Sequence, residues 1–301
     1  MWCLDDENIM KLKSILNNFH SVLDEAYGKD EVNSFFDLLI EHHLGLKRIE
    51  LVLNPEYAIT NEQELVFSAA LEALRNNKPI QYIIGETEFY GLLFKVNEHT
   101  LIPRPETEEL VALIIEDVTS STVEKSLKIL DIGTGTGCIA ISLAKNLPKA
   151  NVSALDVSSE ALKVAQQNVD LNEVKVECIH DDVLNPRYVE FVSASHYLDV
   201  IVSNPPYVRN LEKVEIHPNV LDSEPHLALF VDDDNPLQFY RAICEFAQRN
   251  LNENGILYFE INEYLGKEMI QLLEEFGFKA IELKKDMFGK DRMIRGVKSA
   301  E

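Results

Sequence analysis

A short segment that follows an apolar run carries residue types suited to holding a planar amino group. Asn204-Pro205-Pro206-Tyr207 follows a mostly apolar run that contains Leu198, Val200, Ile201 and Val202. The nitrogen of an amide or nucleobase NH2 is a poor nucleophile, so its methylation depends on geometry. The Asn204 amide oxygen and the Pro205 carbonyl can each accept one N–H, which turns that nitrogen toward an incoming methyl group. The motif therefore predicts amino-group methylation, and a Pro-Pro turn after a buried strand is the alternative.

The two prolines and the tyrosine have parts of their own in this interpretation. The rings of Pro205 and Pro206 restrict the backbone and hold the accepting carbonyl in place. The ring of Tyr207 can lie flat against the planar group and hold it by stacking. The predicted site therefore works by orientation.

A glycine-rich segment upstream predicts a ligand-binding loop. Its residues are Gly133-Thr134-Gly135-Thr136-Gly137. It follows Ile129-Leu130-Asp131-Ile132 and precedes a helical pattern, so the expected order is strand, turn and helix. Glycines let the backbone pass close to a ligand, and a helix N-terminus presents free N–H groups there. The spacing differs from the G-x-G-x-x-G of dinucleotide folds, so a pyrophosphate is not required.

A carboxylate about twenty residues downstream is a candidate ribose ligand. The strand-like run from Asn151 ends in Asp156, the position that holds ribose hydroxyls in nucleotide-binding sheets. An Asp that caps a helix ahead of Ser158 is the alternative.

Together these pieces resemble the S-adenosylmethionine-dependent methyltransferases of the Asn/Asp-Pro-Pro-aromatic type. Further motifs in the same order resemble the release factor glutamine methyltransferase family, from about residue 80 to the C-terminus. They are QYIIG at 81–85, EFYGL at 88–92, LIPRPETE at 101–108, SNPPYV at 203–208, Glu-Pro at 224–225, Ala-Leu at 228–229, residues 255–260 and Asp-Arg at 291–292.

The resemblance implies a fold and a reaction. The expected fold is α/β, a Rossmann-like seven-stranded class I methyltransferase sheet with a small N-terminal helical bundle and a connecting β-hairpin. The expected reaction transfers the methyl group of S-adenosyl-L-methionine to the side-chain amide nitrogen (N5) of the glutamine in the Gly-Gly-Gln motif of peptide chain release factors. The product from the cofactor is S-adenosyl-L-homocysteine.

The resemblance also assigns site residues. Catalysis falls to Asn204, Pro205 and Tyr207, and Pro206 joins these three in substrate binding. The implied cofactor ligands are Gly133, Thr134, Gly135, Thr136, Gly137, Asp156, Asp182, Val183 and Asn204. Asp182 follows the third predicted strand, where the family holds adenine, and a surface acid pair is the alternative there. Arg104 and Glu106 either order the cofactor pocket or belong to a Pro-bounded helix start.

Two stretches depart from the family pattern. Where many members carry two glycines and then Asp-Gly-Leu, residues 230–237 read Phe-Val-Asp-Asp-Asp-Asn-Pro-Leu. Where many carry Glu-Ile-Gly, residues 260–263 read Glu-Ile-Asn-Glu. We expect neither stretch to touch the Asn-Pro-Pro-Tyr segment. The acidic run from Asp232 to Asp234 favours a solvated loop over a metal site, because no other ligand is placed by spacing.

The chain divides by pattern into three parts. Apolar residues recur every three or four positions over 9–26 and 32–40, and Thr60 with Gln63 forms a capping-box pattern that starts a third helix. Later strand-like runs alternate with helical patterns, which predicts a parallel sheet closed by an antiparallel pair. The expected parts are a helical substrate-recognition domain at 1–79, a β-hairpin linker at 80–103 and a methyltransferase domain at 104–301. A helical domain that only packs on the catalytic one is the alternative.

Composition favours a cytoplasmic enzyme with a protein partner. The chain has 301 residues and a formal net charge of -23, whereas nucleic-acid binding draws on clustered Lys and Arg. A basic stretch over 284–298 is the exception, and we interpret it as a solvated strand pair. No apolar run is long enough for a membrane span. Cys3, Cys138, Cys178 and Cys244 lack C-x-x-C pairing, so we expect reduced thiols, no metal and a monomer.

Two other functions stay open at this stage. A nucleobase amino methyltransferase would use the same residues, with a flipped base stacked on Tyr207. A protein that senses S-adenosylmethionine without turnover would keep the fold, but the intact Asn-Pro-Pro-Tyr segment argues against it.

Overall fold

The computed structural model describes residues 10–120, 126–185 and 197–299. Cys3 and the start of the predicted first helical pattern at Ile9 lie outside these ranges. The helices are α1 Leu12–Tyr27, α2 Lys29–Leu44, α3 Arg48–Leu53, α4 Asn61–Arg75, α5 Ile80–Ile84, α6 Pro105–Ser120, α7 Cys138–Asn146, α8 Ser159–Leu171, α9 Pro218–Ser223, α10 His226–Leu229, α11 Gln238–Asn250 and α12 Gly266–Glu275, with a 3-10 turn at Asn210–Glu215. The strands are β1 Met10–Lys11, β2 Ala58–Ile59, β3 Glu86–Phe89, β4 Leu92–Lys95, β5 Lys128–Ile132, β6 Asn151–Asp156, β7 Val176–His180, β8 Leu198–Ser203, β9 Val208–Arg209, β10 Phe230–Val231, β11 Leu251–Glu260, β12 Phe278–Lys285 and β13 Asp291–Lys298.

The smaller of two compact units is helical. It contains the residues up to Gly85 together with Pro218–Ser223. Phe19, Phe36 and Phe67 from α1, α2 and α4 are fully buried and pack ring against ring. The predicted capping box is confirmed: Gln63 N donates to Thr60 Oγ1, and Thr60 N donates to Gln63 Oε1.

The larger unit is built on a seven-stranded sheet. The strand order is β12-β13-β11-β8-β5-β6-β7. Among these seven strands, β13 alone runs in the direction opposite to the other six. Apolar residues of β5, β8 and β11 are buried because helices cover both faces of the sheet, as is usual for parallel strands. The predicted antiparallel closing pair is confirmed.

The β3–β4 hairpin is fastened to α8 by buried amides. Asn168 accepts a bond from Lys95 N at 2.6 Å and donates to Lys95 O at 3.0 Å. Asn172 donates to Leu93 O at 2.9 Å. Asn168 also donates to Thr136 O at 2.9 Å, so one side chain joins the hairpin to the glycine-rich loop.

The helix α6 begins at a proline, Pro105. Proline is favoured at the first helical position because its fixed φ suits the helix and its missing N–H is not needed there. Over the described ranges, no helix is both long and apolar enough to cross a membrane.

Candidate active site

The glycine-rich loop, called here residues 133–137, joins β5 to α7 and is held mainly by bonds within the protein. Gly133 N and Thr134 N both donate to Leu155 O, at 2.8 and 3.0 Å. Gly135 N donates to Asp156 Oδ2 at 2.9 Å. A loop whose amides are used in this way presents few donors to a phosphate. This agrees with the G-x-G-x-G spacing, which does not require a pyrophosphate.

Open space lies over the middle of this loop. Gly133 and Gly135 have positive φ values of 75° and 55°, and a Cβ built on either meets nothing within 4 Å. At Gly137 a Cβ would lie 2.9 Å from Ile141 Cδ1 and 3.4 Å from Ala165 Cβ. Gly137 therefore faces the packing between α7 and α8, whereas the other two face a cavity.

That cavity has a volume of about 230 Å³ and gathers most of the predicted cofactor residues. Predicted residues on its wall are Gly133, Thr134, Gly135, Thr136, Asp156, Asp182, Val183, Asn204, Pro205 and Pro206. Gly137 is not on this wall, because it lies behind the loop against Ala165.

The carboxylate of Asp156 lies at the end of β6 with donors on both oxygens. Oδ2 accepts from Gly135 N, and Oδ1 accepts from Ser158 N at 2.8 Å. Ser158, not Asp156, caps α8 by accepting from Ala161 N. Burial raises the pKa of Asp156, and the backbone donors oppose that rise. A carboxylate has about four acceptor positions, so Asp156 retains some capacity for hydroxyl donors.

Asp182 has a structural role at the turn after β7 as well as a place on the cavity wall. Its Oδ1 accepts from Leu184 N at 2.9 Å, and its Oδ2 accepts from Asn185 Nδ2 at 3.2 Å. The neighbouring Asp181 is buried and donates its backbone N–H to Asp156 O at 3.2 Å. The two ends of β6 and β7 are thereby joined.

A second cavity of about 50 Å³ shares Asn204 and Pro205 with the first. Its wall also includes Tyr207 and Glu260. Asn204 follows β8, a central strand, and the carboxyl ends of parallel strands are where open sheets hold ligands. Asn204 and Pro205 thus border both the larger and the smaller cavity.

Arg104 lies on the walls of both cavities and is held by a buried acid. Its Nη2 is 2.5 Å from Glu224 Oε1, and the Glu224 side chain is fully buried. Glu224 Oε2 also accepts from Ile102 N at 3.1 Å. Glu106 does not contribute to either wall in the described structure.

A chain of polar contacts leads from Asn204 into the protein. Asn204 Nδ2 donates to Thr107 Oγ1 at 3.3 Å, and Thr107 Oγ1 donates to Glu260 Oε2 at 2.6 Å. Tyr207 Oη donates to Glu260 Oε1 at 3.0 Å. Burial raises the pKa of Glu260, while the two hydroxyl donors and the charge of Arg292 oppose the rise.

Our expectation that residues 260–263 would not touch the Asn-Pro-Pro-Tyr segment is wrong. Glu260 accepts from the Tyr207 hydroxyl, and Asn262 Nδ2 donates to Tyr207 O at 3.0 Å and to Glu212 Oε2 at 2.9 Å. The error arose because β11 and β8 are adjacent, so their ends meet although the residues are far apart in the chain. Residues 230–231 also form β10 beside β9, next to the same segment.

Thr107 and Glu260 were missed as site residues, although one signal was available for Glu260. An acid that ends an almost wholly apolar run reads as the carboxyl end of a buried strand, where ligands bind. Glu260 is 1% exposed, so its charge needs partners inside the protein.

The strand order, the loop at the end of β5 and the polar segment at the end of β8 define a class I methyltransferase. Family models for the methyltransferase small domain and the PrmC N-terminal domain match residues 111–227 and 14–85. The release factor glutamine methyltransferase of Flavobacterium psychrophilum is 54% identical to this chain, over 95% of this chain and 99% of that one. The chain belongs to the release factor glutamine methyltransferase family, which confirms the resemblance.

Other comparisons agree. The release factor glutamine methyltransferase of Bacteroides thetaiotaomicron is 42% identical, over 90% of this chain and 95% of that one. A crystal structure of a methyltransferase from Pyrococcus furiosus is 19% identical, with a TM-score of 0.51 over 77% of this chain and all of that one. The latter likeness concerns the fold alone. Fold and family together imply S-adenosylmethionine as the methyl donor.

Proposed function

We propose that this chain methylates the side-chain amide nitrogen of the glutamine in the Gly-Gly-Gln motif of peptide chain release factors. The observation that carries the proposal is the position of Asn204 and Pro205 on the walls of both cavities. One cavity has the loop and carboxylate of a nucleoside site, and the other is small, lined by both polar and apolar residues, and of a size for one side chain. Membership of the family supplies the substrate class.

The larger cavity fits S-adenosylmethionine. Open space above Gly133 and Gly135 admits a close ligand, and Asp156 keeps acceptor capacity for ribose hydroxyls. Asp182 and Val183 would border the adenine. When bound there, the cofactor supplies an electrophilic methyl group on a sulfonium.

The smaller cavity orients the acceptor. Asn204 Oδ1 and the Pro205 carbonyl each accept one N–H of the substrate amide, and Tyr207 packs against its plane. The amide proton becomes acidic as nitrogen gains the methyl group, so it can leave to water without an early general base. Orientation of this kind supplies up to about 7 to 11 kcal/mol of a reaction barrier.

The charges of the protein favour a protein substrate. Several cations of the 284–298 stretch already bind acids: Arg292 Nε lies 3.0 Å from Asp286 Oδ2, and Arg295 lies 2.6 Å from Asp117 Oδ2. Lys298 Nζ donates to the carbonyls of Gln248 and Leu251. Cations engaged in this way do not form a phosphate-binding surface. A monomeric state and a cytoplasmic location stay predictions.

The test uses methyl-labelled S-adenosylmethionine. The purified chain is incubated separately with a release factor, its Gln→Ala variant in the Gly-Gly-Gln loop, tRNA, rRNA and duplex DNA. Label in the intact factor alone is expected. Label in a nucleic acid would move the assignment to nucleobase methylation, and label in the Gln→Ala variant would place the modification on another residue.

A further inference from the structure

The orientation of the Asn204 amide decides whether the site accepts or repels a substrate NH2. Asn204 carries one acceptor, Oδ1, and one donor group, Nδ2, at nearly equal distances from its Cγ. A substrate amide that must give up its N–H groups needs Oδ1 in the cavity. If the Asn204 amide were flipped, its Nδ2 N–H groups would face the N–H groups of the substrate and repel them.

The contacts of Glu260 set this orientation. Both of its oxygens serve as acceptors, one for Tyr207 Oη at 3.0 Å and one for Thr107 Oγ1 at 2.6 Å. The Thr107 hydroxyl has a single proton, and that proton is used on Glu260. Thr107 Oγ1 can therefore only accept from Asn204, which it does from Nδ2 at 3.3 Å.

Burial makes the arrangement hard to change. Thr107 and Glu260 are 2% and 1% exposed, so each side chain depends on partners inside the protein. An unpaired group at such a depth is costly, whereas a fully paired network is rigid. The rotation of Asn204 is thus tied to the start of α6 and the end of β11.

We propose that Thr107 and Glu260 are positioning residues that hold the Asn204 amide with Oδ1 toward the acceptor cavity. This inference rests on the proposed function for its substrate and adds a determinant of the same site. Neither residue needs to touch the reacting atoms. Their contribution is to keep one of the two amide orientations.

The first arm of the test replaces Thr107 by residues of nearly equal size. Thr107→Val removes the hydroxyl, and we expect kcat to fall about tenfold while the Kd for S-adenosylmethionine and the Tm change little; tenfold corresponds to about 1.4 kcal/mol. Thr107→Ser keeps the hydroxyl and restores most of the rate. Thr119→Val, near the far end of α6, is the matched control.

A double-mutant cycle separates positioning from a general packing effect. In the Asn204→Ala background, Thr107→Val should cause no further loss, because the group it positions is absent. Independent, additive losses would overturn the proposal.

The second arm measures the side-chain NH2 signals of Asn204 directly and needs no substrate. With 15N-labelled asparagine, the side-chain NH2 pair of Asn204 is assigned by its absence in Asn204→Ala. We expect this pair to shift in Thr107→Val and to return toward the wild-type position in Thr107→Ser. An unmoved pair in Thr107→Val overturns the positioning role. Failure of the wild type to methylate a release factor would instead refute the proposed function. The shift of the Asn204 NH2 pair would still decide whether Thr107 positions Asn204.

Discussion

At the residue scale, Asn204 is the side chain on which the proposed reaction depends most. Asn204→Ala removes the acceptor oxygen but leaves the glycine-rich loop and Asp156 unchanged. We expect most methyl transfer to be lost, with cofactor binding largely intact. Calorimetric titration with S-adenosylmethionine and single-turnover rates would check this, and wild-type turnover in the variant would refute the assigned role.

The carboxyl of Asp131 predicts a pH dependence of stability that can be assigned to a single group. It is fully buried in β5, and its Oδ2 accepts from Thr134 Oγ1 at 2.6 Å. Burial raises the pKa of the Asp131 carboxyl to about 7 from an ordinary value of 3.8. Between these values the folded state holds a proton that the unfolded state has released. Stability from this group is therefore lost as pH rises through that window.

The prediction compares the wild type with Asp131→Asn, which cannot titrate. The difference in free energy of unfolding should change steadily between about pH 4 and pH 7, with the wild type losing stability relative to the variant, and should level off above about pH 8. Denaturant unfolding at half-unit steps measures it. Parallel curves across the window would show that Asp131 ionises at its ordinary pKa.

At the scale of elements, the local patterns predict the central strands and their helices well. Asn151–Asp156 is a strand with the predicted bounds, and Thr60 caps α4 as expected. Periodicity reports which face of an element is buried, so it succeeds where apolar burial decides the structure. Contacts between polar side chains on different elements produce no periodic pattern in the sequence.

The contacts that the sequence did not predict share this physical cause, because each joins residues on different elements. Thr107 and Glu260 are 153 residues apart in the chain, and Arg104 and Glu224 are 120 apart. Each pair meets only because strand order and loop path bring the elements together. The position of Asn204 after β8 followed from sequence, but the support behind it required the fold.

The three glycines of the loop are expected to differ when each is replaced by alanine. All have positive φ, which costs about 1–2 kcal/mol for an L residue. A Cβ at Gly137 also meets Ile141 and Ala165, so Gly137→Ala should lower the Tm more than Gly135→Ala does. Gly135→Ala should weaken S-adenosylmethionine binding more, because its Cβ points into the larger cavity. Equal effects on Tm and on Kd would contradict this division.

At the scale of the whole molecule, the net charge of -23 should make stability depend on salt. Self-repulsion of like charges destabilises a compact state, and 0.1 M salt screens beyond about 10 Å. We expect the Tm to rise as NaCl is raised from 10 mM to 0.3 M. A falling Tm would mean that close ion pairs such as Arg295 with Asp117 outweigh the long-range repulsion.

The helical unit is discontinuous in the chain, since α9 belongs to it while the residues on either side belong to the larger unit. Ser223 Oγ donates to Asn77 O at 3.4 Å within this unit. During synthesis, α1 to α5 leave the ribosome first, but α9 follows only after β5 to β8 have been made. Domains generally fold as units and N-terminal first. Here the early helices share a buried core of their own and α9 joins them last, so a single cut in the chain cannot free one unit from the other intact.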